Sequence, residues 1–293
     1  MPKQNPFSLY DFLGYLIPGY ASLLLCRLYL SLFLPPCQIP PLDINSASTA
    51  ELINIAILSY VAGHLFNYLS SITVEHYSIN TIGYPTGYLL DNHTFKSYFD
   101  VKDKPFQIKR KILRTIITAA ILPIYAIDTT LDKTLSIRHL YAKNLDSFLV
   151  DTINKKILEM LALEGIQNQD AIKNKDIHRL IYHYITEHSV NHFNKAQNYV
   201  AIYGLLRSFA LLSSLLTIFL LAQSIQILLE AETYKSLFSR FDLIALISSF
   251  SISYLFYLAF VKFYRRFTLE SLMALTAIIS TKSRNESKQI NEA

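Results

Sequence analysis

The sequence has no tryptophan, only two cysteines and few charged residues. Two cysteines are too few for a disulfide scaffold or for a four-thiolate zinc site. Charged residues make up 17% of the chain, whereas a soluble domain carries about a quarter. Hydrophobic residues make up 52%, which excludes a disordered chain. The composition therefore disfavours an ordinary soluble enzyme.

The sequence also lacks the motifs of common enzymes. It contains no Gly-x-Ser-x-Gly elbow, no phosphate-binding loop and no Gly-x-Gly-x-x-Gly. His188 and His192 have the four-residue spacing of metal ligands, but Ser189 stands where a zinc protease has glutamate. A surface or packing role suits these histidines better than a metal. We therefore expect no enzyme, no cofactor and no metal site.

Hydrophobic residues are concentrated in four stretches, each long enough for the roughly 20 residues that cross a bilayer. They run over about 9–34, 50–73, 199–229 and 243–261. A fifth stretch, 115–127, is shorter and contains Pro123, so we interpret it as a membrane-surface or core segment. The sequence predicts an all-α integral membrane protein. Four transmembrane helices would carry a helical cytoplasmic domain inserted between spans two and three.

The positions of lysine and arginine predict the orientation. None lies in 35–49, whereas sixteen lie in 78–198 and six follow Val261. Both termini are therefore expected in the cytoplasm. The expected divisions are a first transmembrane hairpin, a cytoplasmic helical domain, a second hairpin and a basic tail: 1–77, 78–198, 199–261 and 262–293.

The inserted domain is expected to begin irregularly, over 78–106, where turn-forming residues are frequent. Apolar residues at helical spacing then predict one helix over about 136–163, with Gly165 as its stop, and another from about 170. This second helix either continues directly into the third span or is kinked at the junction.

Polar residues follow one face of the second span, within an arc of roughly 80° in a regular helix. They either line a pore or form a hydrogen-bonded seam between helices. Glu75 could pair with Arg207 of the third span, as a gate latch or as simple charge neutralisation. The pore-lining candidates are Tyr60, His64, Asn67, Ser71 and Glu75.

Other features of the spans have packing interpretations. Pro18 and Gly19 are expected to kink the first span. In the fourth span, Ala245, Ser249 and Ser253 form a face of small residues that permits close helix approach, which we interpret as a seam between copies.

A basic cluster precedes the short apolar stretch, and further basic residues extend it. Contact with anionic lipid headgroups explains such a cluster, and so does binding of a phosphate-bearing ligand such as a nucleotide or oligonucleotide. The candidates for an anionic ligand or lipid are Lys102, Lys104, Lys109, Arg110, Lys111, Arg114, Lys155, Lys156, Lys173, Lys175 and Arg179.

Short motifs beside the spans resemble a family of small bacterial membrane proteins. Tyr10-Asp11-Phe12-Leu13-Gly14-Tyr15-Leu16-Ile17-Pro18-Gly19 lies in the first span, and Gly63-His64, Ser70-Ser71, Glu75 and Gly83-Tyr84-Pro85 lie in and after the second. Lys262-Phe263-Tyr264-Arg265-Arg266-Phe267 follows the last span. The pattern is similar to the membrane channel effector of Hailong-type anti-phage defence systems.

The resemblance implies a function that the residues alone do not give. In those systems a nucleotidyltransferase makes an oligodeoxynucleotide signal that controls a homo-oligomeric, tetrameric membrane channel. The resemblance therefore implies a channel gated through the cytoplasmic domain, with membrane depolarisation, growth arrest and abortive infection as the outcome. The alternative is a non-conducting membrane scaffold or sensor that recruits a partner. The resemblance assigns no ligand-binding residues.

Overall fold

A computed structural model describes residues 11–31, 48–90, 95–100, 107–163, 165, 177–229 and 240–292. Within these residues the chain is helical with short turns and has no β-strand. The all-α prediction is confirmed for the described part of the chain.

Eleven α-helices and two π-helical segments are described. One segment, Phe12–Leu16, precedes the first α-helix, and the other, Ser71–Glu75, follows the second. The α-helices are α1 Ile17–Leu30, α2 Thr49–Ser70, α3 His76–Thr81, α4 Pro85–Leu90, α5 Gln107–Ala120, α6 Leu122–Leu135, α7 Arg138–Tyr141, α8 Ser147–Leu163, α9 Ile177–His188, α10 Val190–Leu229 and α11 Arg240–Glu292.

Four helical stretches are long and apolar enough to cross a membrane: Phe12–Leu30, Thr49–Leu90, Asn191–Gln226 and Leu243–Ser280. Each of them overlaps one of the four hydrophobic stretches found in the sequence. Helices α5 and α6 meet at a bend of 100°, and together they are long and apolar enough to form a broken span or a re-entrant loop. By length and composition the described chain therefore has four candidate spans, or five if this bent pair is one.

Two local expectations differ from the structure, and a third finding concerns a junction that the sequence left open. The region expected to be irregular contains α3 and α4, and Pro85 opens α4, where its missing N–H costs nothing. Helix α8 begins at Ser147 rather than near 136, because Ser136 adopts a left-handed conformation (φ 49°) that ends α6. Helix α9 ends at His188 and α10 begins at Val190, so the two are interrupted at Ser189.

The described chain divides into two compact units by its contacts. Unit 1 comprises 1–80, 97–137 and 201–261, and unit 2 comprises 81–96, 138–200 and 262–293. The four-part division drawn from the sequence stays a prediction.

In unit 1, two glycines bring the first two candidate spans into close contact. A Cβ atom on Gly19 would collide with the backbone of Ser59 and lie 2.6 Å from the Gly63 nitrogen. A Cβ atom on Gly63 would collide with the backbone of Tyr15. Only glycine permits this approach, which is typical of helices that pack in a membrane. Thus Gly19, expected to form part of a kink, is a contact site between helices.

In unit 2, the apolar stripes predicted from helical spacing form the core. Ile153, Ile157 and Leu161 of α8 are buried, as are Ile177 and Ile181 of α9. Leu180, placed on the same stripe by the sequence, is exposed. Gly165, at φ +76°, follows the end of α8 in the conformation expected of a helix stop.

Candidate functional site

A buried polar site of unit 1 surrounds Arg207, which lies on α10 within the third candidate span. Its Nη1 donates to the Glu75 carboxylate, and its Nη2 donates to the Asn67 side-chain oxygen. Nη2 also lies 3.2 Å from the Asn67 carbonyl oxygen, and Nε donates to the Ser70 hydroxyl at 3.1 Å. The hydroxyls of Ser70 and Ser208 lie 3.4 Å apart. We call these five residues the Arg207 seam.

The π segment places Glu75 in the seam. In a regular α-helix, eight residues separate Glu75 from Asn67 by roughly 80° around the axis. The wider π turn over Ser71–Glu75 advances less per residue and offsets this rotation. Both side chains therefore reach the same guanidinium group.

The ion pair in the seam is largely removed from solvent. The side chain of Arg207 is 9% exposed and that of Glu75 is 19% exposed. Charges buried in apolar surroundings are costly unless they are paired and hydrogen-bonded. Asn67 and Ser70 supply those further bonds, so the guanidinium charge is satisfied on three sides.

The ion pair expected between Glu75 and Arg207 is present. The pore-lining roles expected of Asn67, Ser71 and Glu75 stay predictions. The hydroxyl of Ser71 bonds the carbonyl of Tyr68 in its own helix at 2.7 Å. Ser70, which the sequence did not single out, lies in the seam.

Tyr60 and His64, the first two residues of the predicted stripe, lie against the first candidate span. The imidazole of His64 stacks on Tyr15 with ring centroids 3.8 Å apart, and Tyr60 meets His64 edge to face at 4.7 Å. His64 remains exposed on its other side. No observation here tests the pore-lining role, which stays a prediction.

A second polar site of unit 1 was not found from the sequence. Asp128 on α6 is fully buried. Its carboxylate accepts a 2.7 Å hydrogen bond from the hydroxyl of Tyr77, and it lies 3.5 Å from the hydroxyl of Tyr254. The available signal was an acidic residue directly after the apolar stretch 115–127.

The small residues of the fourth span bond within the chain. The hydroxyl of Thr217 on α10 lies 2.7 Å from that of Ser249 and 3.3 Å from that of Ser253. Both serines are buried, whereas Ala245 is exposed. The seam predicted between copies is, for these two serines, a seam between two helices of one chain.

The basic cluster separates into residues with different surroundings. Arg114 belongs to the interior contacts of unit 1: it donates to Asn80 at 2.7 Å and to the Tyr98 carbonyl, and its guanidinium lies 5.1 Å above the Tyr98 ring. Burial raises the pKa of the Tyr98 hydroxyl. The side chains of Lys109, Arg110 and Lys111 are exposed on α5.

The basic residues of unit 2 are described separately. Lys155 and Arg179 are exposed, and Lys156 pairs with Glu159 at 2.6 Å. Four of the predicted ligand candidates lie outside the described residues: Lys102, Lys104, Lys173 and Lys175.

The histidines of unit 2 have separate partners. His188 stacks on Tyr184 with centroids 4.1 Å apart, whereas His192 lies 3.3 Å from Glu270. Among the described residues there is no group of three or more histidine, cysteine or acidic side chains that could hold a metal ion. His178 differs from both, because its buried Nε2 lacks a hydrogen-bond partner there and burial lowers its pKa to about 4.

Comparison with known proteins adds no relative. No protein-family model matches the chain, and no curated protein or solved structure matches it significantly.

Proposed function

We propose that this chain is an integral membrane protein that forms a gated ion channel, and that the Arg207 seam is the latch of its closed state. The observation that supports the proposal is a charged, hydrogen-bonded seam buried between two helices that are apolar enough to span a membrane. Ionisable residues in such positions generally belong to ion paths, relays or sensors.

The seam has the chemistry of a two-state contact. A buried ion pair stabilises a fold less than well-packed apolar residues of similar volume do. Separation of the helices would leave Arg207, Glu75 and Asn67 facing water, and a hydrated polar face is what an ion path needs. The latch therefore combines specificity in the closed state with a polar lining in the open state.

The biological setting comes from the resemblance to Hailong-type effectors. It supports a tetrameric channel in a bacterial inner membrane, with both termini in the cytoplasm. It also supports a partner nucleotidyltransferase, whose oligonucleotide signal controls the channel, and depolarisation with growth arrest during phage infection. In unit 2, Lys155 and Arg179 are the exposed cations that we assign to this signal.

The alternative is a non-conducting membrane scaffold or sensor. The observation that favours it is that Asn67 and Glu75 find their partner inside the chain. A polar stripe with internal partners is a helix–helix seam, which needs no water and no current.

Conductance of the purified protein in planar bilayers tests the proposal. We expect Glu75→Gln, which removes the charge and keeps the shape, to raise the open probability above that of the wild type. The control is Glu187→Gln, which makes the same change at an exposed position and should leave the current unchanged. Silence of all three proteins, with and without a single-stranded oligodeoxynucleotide, would favour the scaffold.

A further inference from the structure

Helix α5 carries an exposed apolar face. Ile108, Ile112 and Ile116 are 76%, 57% and 62% exposed. Their spacing of four residues confines them to an arc of roughly 80° on the helix surface. A row of three exposed isoleucines is costly in water, at about 25 cal/mol for each Å² of apolar surface.

The exposed face is separate from the face by which α5 packs. Ile117 of α5 is buried, and Arg114 is held by Asn80 and by Tyr98. The helix also contacts the π segment Ser71–Glu75, which directly follows α2 within the second candidate span. Contacts of the other face of α5 therefore fix the position of the exposed isoleucines, which lie beside a candidate span.

The charge of α5 has one sign. The helix contains no aspartate or glutamate, and Lys109 and Lys111 are exposed at its start, on either side of the apolar row. An apolar face flanked by cations is the pattern of a helix that lies in the interface of an anionic bilayer. A nucleic acid would use the cations but would leave the isoleucines in water.

We propose that α5 lies in the headgroup region of an anionic lipid leaflet. Its isoleucines enter the boundary between headgroups and acyl chains, about 5–10 Å deep. Lys109 and Lys111 extend along the apolar surface and place their ammonium groups among the lipid phosphates. The 100° bend between α5 and α6 permits α5 to lie along the surface while α6 takes another direction. The inference goes beyond the proposed function, because it holds for a channel and for a scaffold.

A fluorescent label on Ile112 tests this placement in the full-length protein. Cys26 and Cys37 are replaced by serine, Ile112→Cys is labelled with a polarity-sensitive dye, and the protein is reconstituted in vesicles that contain anionic phosphatidylglycerol. We expect lipids brominated near the headgroup to quench the dye more strongly than lipids brominated near the chain end. The control is Lys155→Cys, an exposed position of α8, which neither lipid should quench. If the Ile112 variant does not fold, Ile116→Cys replaces it.

The contribution of charge is tested with Lys109→Gln and Lys111→Gln together. In the protein labelled at position 112 with both lysines present, dye emission should be higher in anionic vesicles than in vesicles of phosphatidylcholine. The double substitution should reduce that difference.

Three results would overturn the proposal. They are quenching by soluble iodide at Ile112 equal to that at Lys155, stronger quenching by the deep lipid, and a change in emission on adding an oligodeoxynucleotide to phosphatidylcholine vesicles. None of these readouts depends on conductance.

Discussion

The hydroxyl of Tyr77 donates a 2.7 Å hydrogen bond to the carboxylate of Asp128, and both residues are fully buried in unit 1. They are 51 residues apart in the sequence, and the bond joins α3 to α6. The carboxylate also lies near the hydroxyl of Tyr254 on α11. This bond fixes three helices around one buried acid.

Removal of the Tyr77 hydroxyl should therefore destabilise the protein. We expect Tyr77→Phe to lower the free energy of unfolding by about 1–3 kcal/mol, the usual cost of leaving a buried hydrogen-bonding group without its partner. Thermal unfolding in detergent measures the loss. Tyr125→Phe is the control, because that ring contacts Tyr77 and no hydrogen bond of its hydroxyl is found among the described residues. An equal loss in the two variants would show that the hydroxyl of Tyr77 contributes nothing.

The Arg207 seam should show strong coupling between its charged members. Glu75→Leu and Arg207→Leu each leave one buried charge unpaired, and each should cost about 3–5 kcal/mol of stability. The double variant removes both charges and should be more stable than either single variant. A double-mutant cycle of unfolding free energies measures this coupling. Strictly additive losses would mean that the two charges do not interact.

The side of the second span that faces Arg207 can be tested with two neighbouring serines. Ser70→Ala leaves the Nε–H of Arg207 without the hydroxyl that it bonds at 3.1 Å, and should cost about 1–3 kcal/mol. Ser71→Ala removes only a bond to the carbonyl of Tyr68 in the same helix, and should be close to neutral. Unfolding of both variants under the same conditions gives the comparison. A reversed order would place Ser71, and not Ser70, against Arg207.

The close crossing of the first two candidate spans should not tolerate a side chain at Gly63. Gly63→Ala brings a methyl group against the backbone of Tyr15, and we expect a loss of about 1–3 kcal/mol from overpacking. Gly204 is the matched helical glycine, since an added Cβ atom meets nothing within 4 Å there. Gly204→Ala should stabilise the protein by up to about 1 kcal/mol through helix propensity. Loss of stability in both variants, measured by thermal unfolding, would contradict the helix-contact explanation.

His178 should make the protein sensitive to acid. Burial lowers its pKa from 6.5 to about 4, so between these pH values the unfolded chain binds a proton that the folded chain does not. Stability is therefore complete above pH 6.5 and falls as the pH drops towards 4, by at most about 1.4 kcal/mol per pH unit.

Melting temperatures between pH 7.5 and pH 4.5 measure this dependence. His178→Gln should flatten the acidic slope, whereas His183→Gln, at an exposed position of the same helix, should leave it unchanged. An unaltered slope in the His178 variant would assign the acid sensitivity to other groups.

The sequence predicted those features that follow from regular periodicity. The hydrophobic stretches gave the four candidate spans, and the helical spacing of Ile153, Ile157 and Leu161 gave the core of unit 2. The pairing of Glu75 with Arg207 followed from placing both at the same end of neighbouring spans. In each case one physical rule, applied along a regular helix, was sufficient.

The features that were missed depend on irregular backbone or on distant contacts. Ser70 was missed because a regular helical period drawn from Asn67 to Glu75 passes through Ser71, whereas the π segment shifts the phase of Glu75. Asp128 was missed because its partners Tyr77 and Tyr254 come from other parts of the chain. Arg114 was grouped with the surface cations, although contacts with Asn80 and Tyr98 hold it within unit 1. Residue type alone does not distinguish a cation that is exposed from one that is held by neighbours.

The π segment Ser71–Glu75 makes the length of this stretch as important as its composition. A chain one residue shorter there would keep its hydropathy and every residue type, and a regular α-helix would replace the wide turn. Glu75 would then follow Asn67 by seven residues, which turn through about 700°, so it would stay within about 20° of Asn67 and still face Arg207. A single-residue deletion between Ser71 and Glu75 should therefore keep the ion pair, whereas a single-residue insertion, which adds about 100° of rotation, should break it.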